Sequence, residues 1–200
     1  MVAPGTARIR GPLWLHGSVN RQTVPKADDI PMCDVRRRGE DDLDDCLQVL
    51  AEVHKVDGYP VNWPVGPVDW LAGPTQLAAW VAELDGRIVG HAALAPAGAE
   101  DVAPVLWSSR TGTAVADTAV LSRLFVAPSA RGHGIGGLLM SQAAREARER
   151  GLHPVLDVVA ADSAAAAAAL YERFGWNLLA VVDQRWSPDQ TVKVHCYAAP

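Results

Sequence analysis

Two hundred residues, 49% of them hydrophobic and 20% charged, suffice for one domain with a full hydrophobic core and match ordinary globular usage. A formal charge of −5 gives no electrostatic reason to expect partners among nucleic acids or anionic membrane surfaces. Cys33, Cys46 and Cys196 are far apart, odd in number and form no CxxC pair. That argues against a disulfide framework and against a zinc site, so no metal is expected, and it favours a reducing cytoplasm. No apolar run reaches transmembrane length, and no secretion signal is recognisable near the N-terminus.

Residues 1 to about 30 read as a disordered extension, punctuated by Pro4, Gly5, Gly11, Pro12 and Pro25 and without a period of 2 or 3.6. Trp14 and Leu15 are its bulky pair, and a docking point if it packs at all. A single domain is expected over residues 31–200. It opens with a short strand at 32–36. A helix follows, in which Leu43, Leu47, Leu50 and Val53 recur at helical spacing until Gly58 and Pro60 stop it. Residues 57–75 form a loop region with a short helix around 68–71. Runs 76–84 and 87–95 flank Asp85-Gly86, a strong hairpin signal. Residues 96–117, rich in Pro, Gly, Ser and Thr, read as a long excursion with a short strand at 105–107. A strand at 119–126 precedes a helix at 134–150 with Ile135, Leu138, Leu139, Ala143 and Ala147 on one face. A strand at 155–159, an alanine-rich helix at 163–174, and strands at 176–182 and 191–197 complete the chain. The strand–helix–strand unit of the second half implies parallel neighbours, and the hairpins imply antiparallel ones. The expected class is α/β or α+β, with a mixed, mostly antiparallel sheet flanked by helices.

The segment LFVAPSARGHGIGGLL, residues 124–139, is the most informative. A strand ends at Val126, Pro128 cannot continue a central strand, and glycines at 132, 134, 136 and 137 open an amphipathic helix. Glycine permits positive φ and close approach of a ligand to the backbone. The first N–H groups of a helix lack internal partners and favour an anion, and the Arg131 fork suits phosphate oxygens. Together these parts make a pyrophosphate site. The bland alternative is a glycine-rich helix start used only for packing. A second alternative is the dinucleotide fingerprint, since Gly132, Gly134 and Gly137 satisfy GxGxxG and Asp157 lies about twenty residues on. Against it, residues 127–130 separate strand from glycines, and the chain after Gly137 is short for a two-half nucleotide fold. The P-loop fails, because no Gly-Lys-Ser/Thr follows.

The segment resembles motif A of the GNAT family of N-acetyltransferases, a strand followed by Arg/Gln-x-x-Gly-x-Gly/Ala, with Arg131, Gly134 and Gly136 in those positions. LYERFGW, residues 170–176, is similar to a second segment of that family and follows a strand of the right type. The resemblance covers roughly residues 32–197. It implies a sheet with a V-shaped splay, acetyl-CoA as co-substrate, and acetyl transfer to a primary amine. Backbone groups of Leu124, Phe125 and Val126 would pair with the pantetheine arm. Amides of Arg131, Gly132, His133, Gly134, Ile135, Gly136 and Gly137 would hold the pyrophosphate, and Ser163 begins the next helix beside it. The Val126 amide would polarise the thioester carbonyl. Tyr171 matches the family's general acid, a phenol that protonates the leaving thiolate; its plain alternative is a core tyrosine with a satisfied hydroxyl.

Two departures from the family pattern stand out. Many relatives carry a glutamate where this chain has Val120, so the base that deprotonates the amine has no assigned owner. Asp157, at a position where some members place a catalytic glutamate, is the leading candidate, with His91, Glu83, His54, Asp57 or a chain of waters as others. The second departure is the turn at Asp162 and Ser163, where an asparagine is frequent. The acceptor is expected against Asp57, Tyr59 and Trp63, held by charge and cation–π contact; Trp107 and Trp186 are further walls. The implied partner is a small-molecule or peptide amine, and the enzyme a monomer or homodimer. A non-catalytic acyl-CoA sensor is the alternative that Val120 keeps open.

Overall fold

The computed structural model describes residues 33–99, 101–160 and 165–200, all within one unit from Pro31 to Pro200. The extension expected over residues 1 to about 30 lies outside the described residues. In chain order the elements are β1 (Cys33–Arg37), α1 (Leu43–Asp57), α2 (Pro67–Ala72), β2 (Ala78–Leu84), β3 (Arg87–Pro96), α3 (Ala103–Thr111), β4 (Thr118–Val126), α4 (Ile135–Glu149), β5 (His153–Val159), α5 (Ala165–Arg173), β6 (Asn177–Ser187) and β7 (Gln190–Ala198). The strands form one sheet in the order β1-β2-β3-β4-β5-β7-β6. Every neighbouring pair is antiparallel except β4 and β5. That parallel pair is joined through α4, as a strand–helix–strand unit requires.

Local chemistry accounts for the elements. Helix α1 buries Cys46, Val49, Leu50 and Val53, carries Asp44 and Asp45 in its first turn, and ends on Gly58 at φ 70°, whose N–H bonds the His54 carbonyl. Asp85 and Gly86 take φ values of 51° and 74°, the two positive values that a tight hairpin turn of this type needs. Side chains such as Leu50, Leu94 and Leu139, fully enclosed in the main core, each contribute about 2 kcal/mol by leaving water. A second, smaller cluster of Val120, Val155, Leu179, Val194, Cys196 and Ala198 is closed by Ala103 of α3.

One expected element is overturned. Residues 105–107 are helical, inside α3, and not a strand. The composition looks like loop because the helix takes its N-terminal cap from elsewhere. Asp157 of β5 accepts the N–H groups of Val102 at 2.7 Å and Ala103 at 3.0 Å. Pro104, in the first turn, lacks a donor that would have had no partner there.

The feature that positions the site is where β4 and β5 part. Their ladder runs only from Thr118↔His153 to Val120↔Val155. Beyond it β4 stays with β3 as far as Val126, while β5 stays with β7 as far as Val159. The facing edges, residues 121–126 and 156–159, diverge into the expected V-shaped splay.

Candidate functional site

The open edge of β4 presents backbone groups in a definite phase. The Ala127 N–H donates to the Val89 carbonyl at 2.7 Å, and Phe125 lies opposite His91. Backbone groups alternate sides along a strand, so Phe125 and Ala127 turn toward β3 and Val126 turns into the splay, with Leu124 in the same phase. Of the three residues expected to pair with a ligand arm, Leu124 and Val126 face the gap through their backbones. Phe125 contributes its ring, tilted 6.5 Å from that of Tyr59.

Between Ser122 and Phe125 the strand carries a bulge. Ala93 pairs with Ser122 and His91 with Phe125, so β4 has one residue more than β3 across this step. Arg123 sits in the bulge at φ 51°, a conformation costing a non-glycine residue about 1–2 kcal/mol. His91 holds it there. The ring is fully buried and lies 5.2 Å from the Phe125 ring at 19°. Nδ1 donates to the Arg123 carbonyl at 2.9 Å, which leaves Nε2 to accept from the Arg38 guanidinium at 3.0 Å. Burial first, and then the charges of Arg38 and Arg123, push the His91 pKa down to about 3. This imidazole is therefore a fixed neutral strut at neutral pH.

At the end of β4 a single 3₁₀ turn, Pro128–Ala130, leads to the glycine-rich loop. Gly132 and Gly134 take φ values of 86° and 77°, with no atom within 4 Å of where a Cβ would be. Gly134 is the N-terminal cap of α4. The N–H groups of residues 132–137 have no backbone acceptor among the described residues, whereas Leu138 N–H already bonds the Gly134 carbonyl at 3.1 Å. A row of free donors at the positive end of a helix is a built anion cradle. Gly136 and Gly137 do a different job: a Cβ on Gly136 would stand 3.1 Å from Leu170 Cδ2, and one on Gly137 would stand only 2.2 Å from Phe174 Cζ. Those two glycines admit α5 against α4, so part of the packing alternative holds beside the anion site. Arg131 is paired, its Nη2 and Nη1 on the two Asp57 carboxylate oxygens, the second at 3.2 Å. That pair ties the end of α1 to the loop.

Tyr171 comes from α5 and is buried among Trp176 at 6.3 Å and Tyr197 at 5.3 Å between ring centres. Burial first, then Tyr59 and Tyr197, keep its hydroxyl protonated well above the ordinary phenol range. A phenol in that state donates a hydrogen bond and does not act as a base. Tyr59 packs edge-on to Trp70 at 6.4 Å, and burial pushes it up to about 12. Tyr59 and Tyr171, from the α1–α2 connection and from α5, are thus in one electrostatic neighbourhood. Of the other two expected acceptor residues, Asp57 is engaged by Arg131, and Trp63, 40% exposed, leans on His54 at 5.0 Å. Ser163 lies outside the described residues.

Each side chain considered as a base already has partners. Asp157 caps α3 with both oxygens, Glu83 accepts from Arg36 at 2.6 Å, and His54 Nδ1 bonds the Pro60 carbonyl at 3.0 Å. Asp57 and His91 are engaged as described, and Val120 lies in the smaller core cluster. Sequence reasoning missed Ser122, Arg123 and Trp70 as residues of this face; the available signal was the pair Ser122-Arg123 interrupting the apolar run 119–126. Among the described residues no three His, Cys, Asp or Glu side chains are grouped to hold a metal ion. No described helix is long and apolar enough to cross a membrane. A shallow groove of about 310 Å³ between β1 and α4 is lined by Cys33, Val35 and Leu138 and by none of the candidate catalytic or ligand-binding residues.

Comparison with known proteins agrees with this geometry. The family model for the acetyltransferase (GNAT) family matches residues 46–176. No curated protein matches. Among solved structures, a ribosomal-protein-alanine N-acetyltransferase from Brucella melitensis superposes with a TM-score of 0.64 at 24% identity, over 82% of this chain and 98% of its own. An N-acetyltransferase from Staphylococcus aureus Mu50 gives 0.62 at 18%, over 84% and 97%. The Salmonella typhimurium protein yncA, solved with its cofactor acetyl-CoA, gives 0.58 at 18%, over 83% and 92%. With the family model spanning well over half of its length, the chain belongs to the GNAT family of acetyltransferases, acyltransferases whose donor is acetyl-CoA.

Proposed function

We propose that the chain moves an acetyl group from acetyl-CoA directly to a primary amine of a small molecule or peptide. The observation that carries this reading is the unpaired edge of β4 running into the donor-rich start of α4: an extended arm fits along the first and its pyrophosphate at the second. Leu124 and Val126 pair with the arm through their backbones, and the amides of residues 131–137 take the phosphates. The Val126 N–H, aimed into the gap, stabilises the negative charge that develops on the carbonyl oxygen. Tyr171, kept protonated by burial, donates the proton that the departing thiolate needs. Because the candidate carboxylates and imidazoles are engaged, the amine sheds its proton to water; Asp157 acts as a positioning group for α3. The separated free cysteines support a cytoplasmic setting for this activity.

The test is thermal stability with and without ligands, followed by thiol release across a panel of primary amines. Acetyl-CoA should raise the melting temperature where NAD and ATP do not, and thiol should appear only with an acceptor. Stabilisation by NAD instead would contradict the reading.

A further inference from the structure

We propose that Arg123 receives a carboxylate of the acceptor, so that the substrates are amines that also carry an acid group close to the amine. The proposal rests on the acetyl-transfer reading and deepens it. Arg123 lies in the β4 bulge, at the point where that strand leaves β5. Its guanidinium carbon sits 4.9 Å over the Trp70 ring, Trp70 packs on Tyr59 at 6.4 Å, and Tyr59 lies 6.5 Å from the ring of Phe125, the neighbour of Val126. The cation therefore faces the same end of the splay as the thioester-binding groups.

Its hydrogen-bonding capacity is nearly unused. The side chain is half-buried, and among the described residues its enclosed Nε has no partner and Nη1 reaches only Ser122 Oγ at 3.3 Å. No described carboxylate is within ion-pair distance of it. Asp101 attracts it from farther away, with Oδ2 accepting the Gly98 N–H at 2.7 Å. Arg38, on the same face, is the instructive contrast. It is consumed by the fold, bonded to the carbonyls of Leu71 and Ala72, to Gln76 and to His91. Arg123 has no such set, and Arg38 nearby adds a like charge. A half-desolvated guanidinium stacked on tryptophan, with its fork unoccupied, is matched by a planar carboxylate. The same field disfavours an acceptor that is only cationic. From Arg123 to Val126 the strand advances at most about 10 Å, at about 3.3 Å per residue. Amine and carboxylate are then a few bonds apart, as in an α-amino acid or a short ω-amino acid.

The experiment compares α-amino and short ω-amino acids with their carboxamides as acceptors for the full chain, by thiol release. The acids should exceed their amides in kcat/KM by at least about tenfold. Arg123→Gln should bring that ratio close to one with the KM for acetyl-CoA unchanged, and Arg123→Lys should restore part of it. Equal acids and amides in the unaltered chain, or a ratio that survives Arg123→Gln, would overturn the proposal. If Arg123→Gln does not fold, the unaltered chain and Arg123→Lys decide it on the same ratio. If no amine is acetylated although acetyl-CoA stabilises the chain, the transfer reading fails separately. Calorimetry of the same pairs on the CoA-loaded chain then decides Arg123: acid bound at least about tenfold more tightly than amide supports it, and equal or undetectable binding overturns it.

Discussion

Lowering the pH should loosen the β4 bulge through His91, and the size of the effect follows from its surroundings. The folded chain keeps the ring neutral down to about 3, whereas the unfolded chain takes up a proton near the ordinary 6.5. Between those values the unfolded state binds more protons, so stability rises with pH: the contribution is complete above 6.5 and is lost as pH falls. At about 1.4 kcal/mol per pH unit, the loss is about 1 kcal/mol by pH 6 and about 2 kcal/mol by pH 5, relative to pH 7.5. Asp42 and Glu146, held low chiefly by hydrogen bonds from Arg36 and Arg37, lose their stabilisation only below the ordinary carboxylate range, outside this window. His153, also pushed down by burial, adds in the same direction but does so equally in a variant at position 91. Urea unfolding at pH 7.5, 6 and 5 should therefore show His91→Gln starting from lower stability but with about 2 kcal/mol less pH dependence than the unaltered chain. Identical slopes in the two proteins would refute the assignment of His91 as a neutral strut.

Tyr171→Phe should cut thiol release by about a hundredfold or more while the stabilisation by acetyl-CoA persists; near-normal turnover would return Tyr171 to the core as a packing residue. Asp157→Ala should cost about 1 kcal/mol of stability through the lost cap of α3 and leave turnover within a few-fold. A collapse of turnover with acetyl-CoA binding intact would make Asp157 the base instead. Gly137→Ala should destabilise by about 1–3 kcal/mol because its Cβ meets the Phe174 ring, and Phe174→Ala in the same chain should relieve part of that loss. Additive effects of the two substitutions, read by denaturant unfolding, would argue that the close approach of α5 is not what Gly137 serves.

The parts of this fold that were legible in the sequence are those determined by neighbours in the chain. Asp85-Gly86 carries its own turn geometry, α1 its apolar period and its Gly58 stop, and the free amides before α4 follow from glycines at 132 and 134. What was not legible depends on partners far away in sequence. Helix α3 is capped by Asp157, more than fifty residues downstream, so residues 105–107 looked like a strand among loop residues. The run 119–126 reads as one strand; Ser122-Arg123 marks a polar interruption, but the extra residue that puts Arg123 at positive φ depends on the pairing with β3. His91 looked like a lone histidine on an apolar strand; its strut role needs Arg38 and the Arg123 carbonyl together. Asp57 and Trp63 lie two and four residues from Tyr59 in sequence, and the first closes on Arg131 and the second on His54. Short-range spacing could not separate those fates.

The central claim is acyl transfer, and product formation tests it most directly. The purified full chain, acetyl-CoA and a panel of primary amines should yield one N-acetylated amine per CoA thiol released for at least one member, and Tyr171→Phe should lower both together. Binding of acetyl-CoA with no acetylated product from any amine would contradict that claim.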